Sequence, residues 1–153
     1  MFKIIVAHDL NRIIGNGLDI PWKIKEDLQH FKQVTLGHTI VYGSKTFQSI
    51  GHALKGRNNI VLSSNPDYNA PGCEVYTSIK DIIKKYKKSE EIVYICGGAS
   101  IYEQFLPYCE ELIISEIEAE YEGDIFFPFY LDKFELYKED PRKEFTIRYY
   151  KKK

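Results

Sequence analysis

One carboxylate stands where a folded protein rarely keeps a charge. From Ile24 to Thr35 apolar residues recur with a helical period, and neither Gly nor Pro interrupts the run. In the helix predicted over these residues, Asp27 is the only ionisable residue on the face that should meet the core. That face also carries Ile24, Leu28, Phe31, Val34 and Thr35, and the opposite face carries Lys25, Glu26, Gln29, His30, Lys32 and Gln33.

The position of Asp27 predicts a chemical role. Burying an unpaired carboxylate costs free energy or raises its pKa, so such a group is usually matched by a partner or lies in a cleft that receives one. A ligand is one candidate for that partner. The structural alternative is a hydrogen bond from a backbone amide in the first helical turn, where Asp is common.

Two turns that lead from a predicted strand into a predicted helix could bind an anion. The first runs from Gly43 to Thr46 and resembles a phosphate loop in composition. Ser44 separates the glycine from Lys45, however, and the upstream glycine is missing, so the P-loop spacing is not met. A small residue, a Lys and a Thr at the start of a helix still suit an anion.

The second turn is Gly97-Gly98. Two glycines let backbone amides approach a ligand closely, and a nucleotide phosphate is one such ligand. The sequence is not GxGxxG, and tight packing of the strand against the helix is the alternative interpretation. Ser63 and Ser64, at the end of another predicted strand, could likewise cap the chain or face a ligand.

The elements that must position these residues alternate between strand and helix. The predicted strands comprise residues 2–8, 37–43, 56–64, 73–76, 92–96, 112–120, 134–138 and 145–150, and the predicted helices comprise residues 24–35, 44–50, 79–86 and the segment after Gly98. This order predicts one α/β domain over residues 1–153. Its central sheet is mixed but mostly parallel, with about four flanking helices and a C-terminal antiparallel β ribbon.

The connection from Asp9 to Pro21 combines glycines and asparagines with several large apolar side chains. Exposed loops seldom carry so much apolar surface, so this loop is expected to fold over something. A mobile lid over a site is the functional interpretation, and a packed connection is the alternative.

Composition limits the class of protein. The net charge of −1 argues against a domain that grips nucleic acid, and the short lysine runs near residues 84–88 and 151–153 are interpreted as solvated surface. Three cysteines and four histidines without metal-binding spacing predict a reducing compartment and no metal site. With neither a signal peptide nor a membrane span in the sequence, we expect a cytoplasmic protein.

The chain contains Ile14-Gly15 with Pro21-Trp22 and Asp27, Gly43-x-x-Thr46-Phe47-x-Ser49-Ile50-Gly51, Leu54-x-Gly56-Arg57-x-Asn59-Ile60-Val61-Leu62-Ser63, Gly97-Gly98-x-x-Ile101-Tyr102, and Glu122-Gly123-Asp124. Taken together, these motifs resemble bacterial-type dihydrofolate reductase along the whole chain. The resemblance implies NADPH-dependent reduction of dihydrofolate to tetrahydrofolate, with hydride passing to pterin C6 and a proton to N5. It also implies a role in one-carbon and thymidylate metabolism, inhibition by antifolates and a monomeric state.

The same resemblance assigns substrate-binding and catalytic residues. Asp27 would bind the pterin 2-amino group and the neighbouring ring nitrogen, Ser115 would supply a hydroxyl where Thr is usual, and Trp22 would hold an ordered water. We expect apolar neighbours to raise the pKa of Asp27. Arg57 would clamp the glutamate α-carboxylate of the substrate, with His52 near that tail. The pocket would be lined by Ile5, Ile20, Leu28, Phe31, Ile50, Leu54 and Cys96.

For the cofactor, the resemblance implies a site that spans both glycine turns. Ala7 and Ile14 would hold the nicotinamide carboxamide, and the loop from Ile13 to Asp19 would close over the ring. The other assigned residues are Gly15, Asn16, Gly17, Leu18, Gly43, Ser44, Lys45, Thr46, Leu62, Ser63, Ser64, Asn65, Thr77, Gly97, Gly98, Ala99, Ser100, Ile101 and Tyr102. Gly97-Gly98 would be joined by the family's cis peptide.

Three departures from the family pattern bear on the site. Ser44 and Ser100 stand where many relatives carry Arg, which predicts a narrower margin of NADPH over NADH. Cys96 replaces a bulkier residue and predicts a looser pocket for inhibitors.

Two alternative functions are considered. They are another NADPH-dependent pterin or pyrimidine reductase of this fold, such as the reductase of riboflavin synthesis, or a non-catalytic nucleotide-binding module. The pairing of Trp22 with Asp27 disfavours the first, and the presence of Asp27 and Arg57 disfavours the second.

Overall fold

The computed structural model describes residues 1–15 and 20–153. The strands are β1 (Phe2–His8), β2 (Ile13–Gly15), β3 (Thr39–Gly43), β4 (Asn58–Leu62), β5 (Cys73–Tyr76), β6 (Val93–Ile95), β7 (Cys109–Ile117), β8 (Ile125–Phe126), β9 (Phe134–Pro141) and β10 (Phe145–Lys152). The α-helices are α1 (Lys25–Thr35), α2 (Ser44–Ile50), α3 (Ile79–Tyr86) and α4 (Ala99–Phe105), and a 3-10 turn covers Leu106–Tyr108.

The main sheet has eight strands in the order β5-β4-β3-β6-β1-β7-β10-β9. Neighbours from β5 to β7 are parallel, and β10 pairs antiparallel with both β7 and β9. The predicted fold class is therefore confirmed. In such a sheet the carboxyl ends of adjacent parallel strands meet at one edge, which brings the turns after β1, β3 and β6 together.

Alternation along β1 divides the core between the two faces of the sheet. Ile4 and Val6 point into one buried cluster with α3 and α4, whereas Ile5 points into the other. Phe31 and Val34 of α1 pack against this second cluster. Helix α1 thus lies on the face that Ile5 shares.

The buried face of α1 is rotated from the predicted one. Leu28, expected in the core, is 65% exposed, and His30, expected in solvent, is 6% exposed. These two residues lie at opposite sides of the predicted apolar arc, so a modest rotation of the helix exchanges them. The rotation turns His30 toward the β9–β10 hairpin, where Arg142 binds Glu26 of the same helix at 2.7 Å.

Differences at strand ends have local causes. Strands β3 and β4 begin two residues later than predicted because Gly37 and Gly56 adopt positive φ angles of 82° and 78° and bond each other across a turn, at 2.7 Å. The loop predicted from Asp9 to Pro21 contains the short strand β2, which pairs with β8 so that Ile13 lies opposite Phe126. Elements of two or three residues are too short to show a period.

In the part of the chain that the structure describes, no helix combines the length and apolar character that a membrane span requires.

Candidate active site

Asp27 lies in the first turn of α1, and its carboxyl interacts with Ser115 of β7. Its main-chain amide donates to the carbonyl of Ile24, which starts the helix, at 3.1 Å. Ser115, in the middle of β7 between Ala7 and Ile147, is 2% exposed, and its side chain interacts with the Asp27 carboxyl. Burial raises the pKa of Asp27, and the Ser115 hydrogen bond lowers it by less. The direction agrees with the expectation from the sequence.

Trp22 lies five residues before Asp27 in the chain and is packed into the core. The indole is 7% exposed and shares the second core cluster with Ile5 and Ile24. Its ring centroid lies 5.3 Å from that of Tyr121, at an interplanar angle of 56°. Trp22 is therefore held between the core and the segment that follows β7.

Most of the apolar pocket predicted around Asp27 comes together. Ile5 is 4% exposed, and Phe31, Ile50, Leu54 and Cys96 are partly buried against the same cluster. The pKa of the Cys96 thiol is raised by burial, so the thiol stays protonated. Ile20 and Leu28 are exposed and do not join this cluster.

Arg57 is oriented by two hydrogen bonds of its guanidinium. Nε donates to the Lys55 carbonyl at 3.0 Å, and Nη1 donates to Thr35 Oγ1 at 3.3 Å, at the end of α1. His52 is exposed, with Nδ1 2.9 Å from the Ala53 carbonyl oxygen. Arg57 is thus hydrogen-bonded to the end of α1, the helix that carries Asp27 in its first turn.

Asn59 organises the loop that presents Arg57. Its amide nitrogen donates to the carbonyls of Leu54 and Arg57 at 2.8 and 3.0 Å, and its oxygen accepts from the Leu54 amide and the Tyr42 hydroxyl at 2.9 and 2.6 Å. The sequence analysis included Asn59 in a motif without giving it a role. Asn59 is 2% exposed, and its four hydrogen bonds connect the loop before β4 to β3 through Tyr42.

The two glycine turns meet at the carboxyl ends of β3 and β6. The Gly43 amide donates to the Gly97 carbonyl at 3.0 Å, and the Gly97-Gly98 peptide is cis, as predicted. Gly97 has φ 118°, and a Cβ on Gly43 would lie 3.2 Å from Cγ1 of Ile101. A Cβ on Gly98 would lie 3.8 Å from Thr46 Oγ1. The turns therefore form one continuous surface.

Tyr102 was predicted with the cofactor turn, and its hydroxyl points into the site. It donates to the Ile5 carbonyl at 3.0 Å. Burial, with the neighbouring Cys96 and Asp27, raises its pKa well above the ordinary value, so the hydroxyl remains a donor. No feature of the sequence indicates this orientation, because it depends on β1 lying next to β6.

The residues predicted for the adenosine end of the cofactor lie around the ends of β4 and β5. Ser63 is buried and accepts from the Asn65 amide at 3.1 Å, and the Ser44 carbonyl accepts from the Tyr68 hydroxyl at 3.3 Å. Lys45, Ser64 and Thr77 are exposed. Among the other residues predicted to bind the cofactor, Leu62, Ile14 and Ala7 pack against the core clusters, and Ala99 is partly buried. Ser100 is exposed and its hydroxyl accepts a hydrogen bond from Gln104 at 3.0 Å.

The predicted lid residues are only partly described. Ile13 and Gly15 belong to β2 and pair with β8. Asn16, Gly17, Leu18 and Asp19 lie outside the described residues. Two further residues that the sequence analysis did not assign, Asp9 and Tyr121, connect this strand to Trp22 through hydrogen bonds and ring contact.

Comparison with known proteins identifies a consistent set of relatives. The family model described as dihydrofolate reductase matches residues 1–152. The dihydrofolate reductase of Bacillus subtilis is 44% identical over 128 residues, which cover 84% of this chain and 76% of that protein. The Mycoplasma pneumoniae dihydrofolate reductase is 41% identical over 157 residues, covering 99% and 98%.

A solved structure resembles the whole fold. Dihydrofolate reductase from Enterococcus faecalis, complexed with NADP(H) and RAB-propyl, superimposes with a TM-score of 0.94 at 32% identity. The match covers 99% of this chain and 96% of that one.

Proposed function

This chain belongs to the dihydrofolate reductase family, and we propose that Asp27, Trp22 and Ser115 form the catalytic part of its active site. Its activity is the NADPH-dependent reduction of dihydrofolate to tetrahydrofolate. The observation that carries the assignment of residues is the partly buried Asp27 carboxylate, whose pKa is raised by burial and lowered to a lesser extent by Ser115. We further propose that residues 1–153 act as one domain, as a monomer in the cytoplasm, in the supply of one-carbon units for thymidylate synthesis.

Asp27 orients the pterin and favours its protonation. The carboxylate accepts hydrogen bonds from the 2-amino group and the adjacent ring nitrogen, and it provides a negative charge near N5 in an apolar surrounding. Ser115 would donate a hydrogen bond to the carboxylate, and Trp22 would hold an ordered water. N5 is a poor base in water, so a dry site with a nearby negative charge raises the fraction protonated when hydride arrives.

The surface formed by the two glycine turns, at Gly43 and at Gly97-Gly98, suits a dinucleotide. A side chain on Gly43 would crowd Ile101, and Gly97 has a backbone conformation that other residues adopt with strain. Backbone groups of Gly43, Gly97 and Gly98 would hold the pyrophosphate, with Thr46 beside them. Bound NADPH supplies the hydride that reduces pterin C6.

The nicotinamide and adenosine ends have separate residues. Backbone groups of Ala7 and Ile14, with Ile13 and Gly15 on β2, would hold the carboxamide. Ser63 and Ser64 would bind near the 2′-phosphate, together with Ser44, Lys45, Asn65 and Thr77. Serines in place of arginines at 44 and 100 leave fewer cations for that phosphate, which supports a narrower preference for NADPH over NADH.

Arg57 recognises the glutamate end of the substrate. Its hydrogen bonds to Thr35 and the Lys55 carbonyl use Nη1 and Nε, and the remaining guanidinium donors can bind a carboxylate. The pocket between Asp27 and Arg57 would take dihydrofolate or an antifolate inhibitor. Ile5, Phe31, Ile50, Leu54 and Cys96 would line it, with the exposed Ile20 and Leu28 at its mouth and His52 near the substrate's tail.

The test is oxidation of NADPH or NADH by the purified protein in the presence of dihydrofolate, followed by nicotinamide absorbance. Asp27→Asn should slow the reaction strongly, while Asp81→Asn, in the first turn of α3, should not. A folded wild-type protein that oxidises neither cofactor would overturn the assignment. Equal rates in wild type and Asp27→Asn would overturn the role of Asp27.

A further inference from the structure

Asp9 is a buried carboxylate, and the chemical step does not use it. Its side chain is fully buried at the end of β1. Oδ1 accepts from the amides of Asn11 and Ile13 at 2.8 Å each, and Oδ2 accepts from the amide of Tyr121 at 2.8 Å. A charge in this position is stable only because three backbone donors replace its hydration.

These hydrogen bonds join two segments that are 112 positions apart in sequence. Two of them lie within the turn from Asp9 to Ile13, and the third crosses to the segment after β7. The Leu10 amide reinforces the crossing by donating to the Ala119 carbonyl at 3.2 Å. Arg12, with φ 64°, closes the turn by donating its amide to the Asp9 carbonyl at 3.1 Å.

Both segments lead directly to the proposed active site. Ile13 begins β2, which carries the residues proposed to hold the nicotinamide carboxamide. The Tyr121 ring lies 5.3 Å from that of Trp22, which is proposed as part of the catalytic site with Asp27. The Asp9 carboxylate therefore connects β2, proposed to hold the nicotinamide, to Trp22, proposed to act with Asp27 in proton transfer.

We propose that Asp9 is a positioning residue for hydride transfer, acting through Ile13 and through the contact of Tyr121 with Trp22. The inference rests on the proposed function, because it concerns the geometry of that reaction. A displacement of a fraction of an ångström between donor and acceptor carbons lowers the rate of hydride transfer without preventing substrate binding.

Two substitutions separate the local and the cross-segment bonds. In Asp9→Asn one oxygen can still accept from Asn11 and Ile13, but the amide nitrogen cannot accept from Tyr121. Asp9→Ala removes all three bonds. Thr39→Val is the matched control, because it removes a buried hydroxyl, bonded to Glu91, at the opposite end of the sheet.

The first measurement is the single-turnover rate of hydride transfer from NADPH and from NADPH deuterated at the transferred position. Asp9→Asn should lower this rate by about tenfold, with KM for dihydrofolate changed by less than about twofold. Thr39→Val should lower the melting temperature without changing the rate. An unchanged rate in Asp9→Asn, or a loss equal to that in Thr39→Val, would overturn the proposal.

The second measurement uses Trp22, the single tryptophan of the chain. Its emission maximum and its quenching by acrylamide should change in Asp9→Asn and not in Thr39→Val. In the double variant with Tyr121→Ala, Asp9→Asn should cost less than about threefold in rate, because its path to Trp22 is already cut. Additive losses would overturn the path through Tyr121.

Failure of the proposed function is distinguishable from failure of this inference. An inactive wild-type protein would contradict the reaction, whereas the Trp22 signal tests the connection from Asp9 in any folded protein. An active wild type with unchanged Trp22 emission in Asp9→Asn would contradict the connection alone.

Discussion

Ser115 on β7 and Asp27 on α1 interact across the interface between helix and sheet, where hydrogen bonding to the Ser115 hydroxyl lowers the pKa of the Asp27 carboxyl. Burial of the carboxyl acts on this pKa in the opposite direction. Burial is the larger effect, so the pKa of the carboxyl is raised. Ser115 thus limits how far the pKa of Asp27 rises, so a substitution on β7 should change the pH dependence of proton transfer.

Removing the Ser115 hydroxyl should raise the pKa of Asp27 further. In Ser115→Ala the pH profile of hydride transfer should move to higher pH, because the ionised carboxylate loses a donor. Ser115→Thr keeps a hydroxyl and serves as the control, with a profile like that of wild type. A profile in Ser115→Ala that moves to lower pH would contradict the role of this hydrogen bond.

Asp27 should lower the stability of the folded protein at neutral pH. Its pKa is raised above the ordinary value of 3.8, so the native state binds more protons than the unfolded state between those two values. The free energy of unfolding then falls as pH rises through that window, by about 1.4 kcal/mol for each pH unit that separates the two pKa values. Urea unfolding of Asp27→Asn should show a gain over wild type at neutral pH.

That gain should vanish below the unfolded pKa, where Asp27 is protonated in both states. Asp81→Asn, an exposed residue in the first turn of α3, should show no comparable gain. A lower stability of Asp27→Asn at neutral pH would mean that the carboxylate stabilises the fold, contrary to the present account.

Arg57→Lys should weaken binding of dihydrofolate with little effect on kcat. A lysine cannot form the bidentate contact with a carboxylate, and the loss of one charge-assisted hydrogen bond costs about 1.5–3 kcal/mol. KM should therefore rise by about tenfold or more. Steady-state kinetics would be compared with a dihydropterin that lacks the glutamate, for which KM should not change. An equal rise for both substrates would argue against the clamp.

Ser44→Arg should increase the preference for NADPH. A guanidinium near the adenosine 2′-phosphate adds charge-assisted hydrogen bonds, so the ratio of kcat/KM for NADPH to that for NADH should rise by about tenfold. Gln48→Arg adds the same charge to an exposed position of α2 and controls for net charge. A similar ratio in both variants would show that position 44 does not face the phosphate.

The sequence predicts those features that depend on local pattern. The run from Ile24 to Thr35 and the two glycines at 97 and 98 have strong local signals, and the helix and the turn are found there. The β-branched run over residues 2–8 likewise predicts β1, and the alternation over residues 112–120 predicts a strand that overlaps β7. Features that arise from the meeting of distant segments are different.

Asp9 shows why the rest could not be predicted. In the sequence it is an ordinary polar residue after a strand, and its role depends on the amide of Tyr121, which the sheet brings close. The exchange of Leu28 and His30 has a similar cause, since the β9–β10 hairpin decides which side of α1 is covered. Helical period identifies an apolar arc, but tertiary contacts set its rotation.

The most direct test is the pH dependence of single-turnover hydride transfer in wild type and Asp27→Asn, with Asp81→Asn as control. Hydride transfer needs a proton at N5, which the Asp27 carboxylate favours, so the wild-type rate should fall as pH rises and the coupled pair of Asp27 and N5 loses this proton. The rate in Asp27→Asn should be lower and should lack this titration. The same profile in both proteins would contradict the assignment of Asp27 as the group that controls the proton.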